Sequence, residues 1–99
     1  MVTGRYSFKI KPMTARDNDY EMREYSNEVD SSEVEFPDHA TARHKFLVLN
    51  YMAAESVFYF AVMDGAIPPE FCKEHLKQLR LNLREVLPDD IYELTGQRR

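Results

Sequence analysis

Several things that would identify a chemistry are missing from this sequence. Of its 99 residues only Cys72 is a cysteine, so no internal disulfide can form, and a reducing compartment, the cytoplasm, is expected. Three glycines in the whole chain leave no room for a glycine-rich phosphate loop or a nucleophile elbow. The N-terminal stretch MVTGRYSFKIK has no continuous apolar run and is not a secretory signal. Position 2 is valine, so myristoylation is not indicated. No internal repeat or low-complexity segment is visible. These absences argue against an enzyme, and neither cofactor nor metal is expected.

What is present fits one small globular domain spanning residues 1–99. Hydrophobic residues make up 43% and charged residues 30%, values of a folding chain. The net charge of -4 is unevenly spread. Nine acids face two arginines between positions 16 and 38, whereas six acids balance six bases from position 68 onward. The acidic run Asp17, Asp19, Glu21, Glu24, Glu28, Asp30, Glu33 and Glu35 is therefore a candidate partner-binding surface. It would repel nucleic acid and attract a basic or nucleic-acid-binding protein. Asp17, Asp19, Glu21 and Glu28 also fall at positions 1, 3, 5 and 12 of a calcium-loop count. Met22 stands where that loop requires glycine, which speaks against it.

The local patterns predict an α+β, mainly helical fold: an N-terminal β-hairpin, a long antiparallel helical hairpin and a short C-terminal helix. The hairpin and acidic segment take residues 1–36, and the helices residues 37–99. Tyr6, Phe8 and Ile10 alternate with polar residues, the period of a half-buried strand. A second strand would put Tyr20 and Met22 on one face, with a turn at Asp17-Asn18. A helix over residues 15–26, capped by Thr14, competes for the same segment. Residues 27–35 read as a loop, with a brief strand at Val34 and Phe36.

Asp38 is placed to cap a helix over residues 39–64, which Gly65 would end. Its stretch FLVLNYMAAESVFYFAVM is long enough to raise the question of a membrane. Its eight Leu, Val and Phe residues favour insertion by roughly 2 to 5 kcal/mol, while a central acid such as Glu55 opposes it by about 3. The sum lies near zero, so no membrane span is expected. Asn50, Glu55 and Ser56 point in three different directions, leaving no clean polar face. Such a helix needs cover on most sides, which makes Phe46, Leu49, Tyr51, Val57, Phe58 and Phe60 candidate interface residues and predicts a homo-oligomer or a foreign partner.

A second helix over residues 68–87 supplies part of that cover. Cys72, Leu76, Leu79, Leu83 and Val86 step by 4, 3, 4 and 3, an apolar seam. Beside it run Lys73, Lys77, Arg80 and Arg84, a basic stripe that could track phosphates or pair with the acidic segment. Cys72 and His75 lie on one side of this helix, but no spacing to His39 or His44 has the specificity of a zinc site. The sequence thus predicts a non-enzymatic, protein-binding regulator of the inhibitor, antitoxin or immunity type. A nucleic-acid binder using the basic stripe is the alternative. A pocket around Glu55, Tyr51 and Tyr59 is a third.

Overall fold

A computed structural model describes residues 2–11 and 22–96. The fold is α+β: a two-stranded antiparallel hairpin, two long helices packed together and a short C-terminal helix. Strand β1 (Thr3–Ile10) pairs with β2 (Arg23–Asp30), with Gly4 opposite Val29, Tyr6 opposite Asn27 and Phe8 opposite Tyr25. Tyr6, Phe8 and Ile10 turn inward as their alternation predicts. The second strand differs from the expected one. Tyr25, Asn27 and Val29 face inward, whereas Met22 is exposed just before the strand begins. A strand covering Arg23–Asp30 also rules out the competing helix at residues 23–26 and the loop expected at 27–30. The turn expected at Asp17-Asn18 lies outside the described residues. Val34 and Phe36 form no strand; they pack beside the first half of the long helix.

That helix, α1 (Ala42–Met63), begins three residues later than expected. Thr41, not Asp38, caps it. Its Oγ1 accepts from the His44 backbone N–H at 3.1 Å, and His44 Nδ1 accepts from the Thr41 N–H at 3.3 Å. Residues 37–40 form a turn ahead of it, closed by the Ala40 N–H donating to the Pro37 carbonyl. The far end stops where glycine was expected to stop it. Gly65 takes a φ of 74°, and the N–H groups of Gly65 and Ala66 donate to the carbonyls of Val62 and Ala61. Helix α2 (Pro69–Arg84) starts on its proline and runs back along α1. The seam holds at Cys72 and Leu76, half-holds at Leu79 and Leu83, and fails at Val86, which is exposed. The helix has ended by then, and the turn that follows brings Leu87 inward in its place. Helix α3 (Asp89–Tyr92) and a 3-10 turn at Glu93–Gly96 close the structure.

The molecule is elongated, 52 × 25 × 23 Å, and its core is split into two clusters along α1. One joins Tyr25, Val57, Phe58 and Ala61 to Ile67, Cys72 and Leu76. Phe58 is its hub, with ring centroids 5.2 Å from Phe8, 5.6 Å from Tyr6 and 4.8 Å from His75. The other joins Val48 to Leu87, Ile91 and Leu94. The hairpin lies directly on the helix backbone. A Cβ at Gly4 would collide with the main chain of Leu49 and Asn50, so only glycine fits that crossing. Asn50 Nδ2 donates to the Arg5 carbonyl at 2.5 Å beside it. This polar residue in an apolar run thus serves to hold the hairpin.

Candidate functional site

The acidic surface is smaller than the sequence suggests. Among the described residues, Glu24 stands directly opposite Lys9 and Glu28 directly opposite Arg5 on the solvent face of the hairpin. Cross-strand pairs of opposite charge attract, so β1 offsets the acids of β2. Asp30 and Glu33 are engaged locally: Asp30 Oδ1 accepts from Ser32 N–H, and Glu33 Oε2 accepts from Asp30 N–H at 2.9 Å. Glu35 is exposed. Asp17, Asp19 and Glu21 lie outside the described residues. No ion pair links the described acids of this segment to the basic stripe of α2.

The six interface candidates on α1 divide sharply. Leu49 and Val57 are wholly buried, Phe58 is 3% exposed and Tyr51 is buried, all by the chain's own hairpin and helices. These four are core residues: the hairpin packs on α1 at Leu49 and Phe58, whereas Tyr51 lies on the side facing α2. Phe46 and Phe60 remain about half exposed. Tyr59 and Met63, not among those six, complete the exposed face around Phe60. Tyr59, Phe60 and Met63 emerge together on the last two turns of α1, and Met63 is 80% exposed. Met52 and Ser56, half-buried, extend the same side towards the middle of the helix. By length and composition α1 could cross a bilayer, but its buried residues pack against protein.

A second feature gathers residues that the sequence kept apart. Lys73, Lys77 and Arg80 of α2 face Tyr51 and Glu55 of α1 across a cleft of about 390 Å³, with Tyr92 of α3 at its edge. Three of the four stripe residues therefore share a site with the lone mid-helix acid. Arg84 does not line it. The Arg80 guanidinium sits 5.3 Å from the Tyr92 ring centroid, a cation–π contact. Its Nε is buried and has no hydrogen-bond partner among the described residues. The Tyr51 hydroxyl donates to Glu55 Oε2 at 3.5 Å. Close by, burial pushes the Cys72 thiol up from its ordinary range, and the negative charge of Glu55 raises it further. That thiol is held protonated, which suits a packing role. His75 stacks on Phe71 and meets Phe58 at a tilt, and no group of metal-binding side chains occurs among the described residues.

A clasp joins the segment before α1 to the short helix α3. His39 Nε2 and Asp90 Oδ2 lie 2.6 Å apart. The hydrogen bond from His39 holds the Asp90 carboxyl below its usual range. No family model matches the sequence, and no curated protein or solved structure is significantly similar to it.

Proposed function

We propose that this chain is a non-enzymatic regulator that works by binding another protein through the exposed second half of α1. The supporting observation is the contrast within one helix. Val57 is wholly buried, while Phe60 is 52% and Met63 80% exposed only three and six residues further on. Large apolar side chains clustered on one exposed face are a feature of recognition surfaces more than of solvated ones. Methionine and aromatic residues together also give a surface that adapts to its partner. The alternative of a nucleic-acid binder has less support, since Glu70, Glu74 and Glu85 interrupt the basic stripe and most of it faces Glu55 across the cleft.

The test is capture of partners from nuclease-treated host lysate by the wild type and by the double variant Phe60→Asp/Met63→Asp. Both substitutions are exposed, so circular dichroism and melting should match the wild type. A retained protein that cross-links near residue 60 and is lost in the variant supports the reading. Retention by both forms, or loss of the partner on nuclease treatment, overturns it. Light scattering on the same samples reports whether that partner is a second copy of the chain.

A further inference from the structure

The cleft between α1, α2 and α3 is separate from the apolar face and has a chemistry of its own. We propose that it binds a phosphate monoester with an apolar substituent. Charge selects the anion. Lys73, Lys77 and Arg80 against the single carboxylate of Glu55 leave a net charge of +2 in the cleft. A phosphate monoester carries about -1.5 to -2 near neutral pH and matches it; a monocarboxylate carries half as much. Geometry selects the contact. Arg80 is held against the Tyr92 ring, and its Nη2 lies 3.0 Å from where a Gly96 Cβ would stand. Arg80 lines the cleft, and a guanidinium offers phosphate oxygens a fork of N–H donors.

The remaining lining selects the rest of the ligand. Tyr51, Leu76 and Leu81 present apolar surface beside the cations, enough for one ring or a short chain. A volume of about 390 Å³ lies at the small end of the range for organic ligands, too small for a folded partner. Glu55 lines the α1 side of the cleft, where its carboxylate accepts from the Tyr51 hydroxyl and disfavours a second negative group on the substituent.

The probe is phenyl phosphate, titrated at constant ionic strength into ¹⁵N-labelled protein while the Arg80 Nε–H resonance and the heat of binding are followed. A saturable shift of that resonance is expected, with inorganic phosphate and benzoate binding at least about fivefold more weakly. Lys77→Gln, at an exposed position that leaves the fold intact, should weaken phenyl phosphate about tenfold, the loss expected for one charge-assisted contact. Lys9→Gln on the hairpin, outside the cleft, should leave affinity unchanged. The proposal is overturned by the absence of a saturable shift, by equal affinity for benzoate or inorganic phosphate, or by equal effects of the two lysine variants. These outcomes are independent of the partner on α1, because neither Phe60 nor Met63 lines the cleft.

Discussion

The two sides of α1 are built from the same kinds of residue and meet opposite fates. Towards the hairpin, Ala53, Ala54, Val57 and Ala61 are wholly buried, and their small size lets a strand lie almost on the helix axis. Away from it, Tyr59, Phe60 and Met63 are large and emerge into solvent. The covered side mixes these small residues with large ones such as Phe58, which packs among Tyr6 and Phe8 of the hairpin. A hairpin can approach a row of alanines and valines closely, and Gly4 is the point of closest approach. On the exposed side the bulky residues have no such cover and offer area to something that arrives from outside. Hydropathy alone treats both sides as equivalent.

The strongest way to break the contrast is to force the covered side open. Gly4→Ala puts a methyl group into the backbone of Leu49 and Asn50, neither of which can rotate away. A loss of about 3 kcal/mol is expected from denaturant midpoints, the upper range for overpacking. The next test sharpens the contrast residue by residue. Val57→Ala should lower stability by about 2 kcal/mol, whereas Phe60→Ala should stay within about 0.5 although it removes far more side chain. Equal effects would mean that the exposed side is covered in solution. The smallest effect concerns the clasp at the first half of α1. The Asp90 carboxyl is lowered by His39, so its contribution is present above the ordinary aspartate range and fades as pH falls through the folded value. The melting advantage of wild type over Asp90→Asn should thus be seen at about pH 6 and shrink below about pH 4.

Much of this was legible in the residues, and the misses have physical causes. Tyr6, Phe8 and Ile10 announced β1, and Gly65 announced the end of α1. The second strand was harder to read because its inward positions include Asn27, which interrupts the alternation and hides its phase. Asp38 looked the better cap, yet Thr41 has His44 three residues on to complete a reciprocal pair of hydrogen bonds. Asn50, Glu55 and Ser56 were visibly misplaced in an apolar run, but sequence could not say what each direction met. Asn50 meets a strand, Glu55 a cleft and Ser56 the exposed side. The cleft itself was not legible as a unit. Glu55 and the α2 cations are about twenty residues apart, and only the reversal at Gly65 brings them together. The acidic run misled for a related reason, since Lys9 and Arg5 come to stand across from Glu24 and Glu28 only once β1 and β2 pair.

The placement of Val2 and Gly96, the first and last residues described, has a practical consequence. Val2 is tied to Ser31 at the base of the hairpin, two residues before the crossing at Leu49, while Leu94, near Gly96, packs with Val48. Both lead to the same stretch of α1, about 15 Å along the helix from residues 59–63. A fluorophore, surface anchor or fused reporter joined through either segment would therefore start well short of Phe60 and Met63 along α1. Tethered that way, the molecule presents its apolar tip outward, the orientation wanted for force or surface-binding measurements on that face.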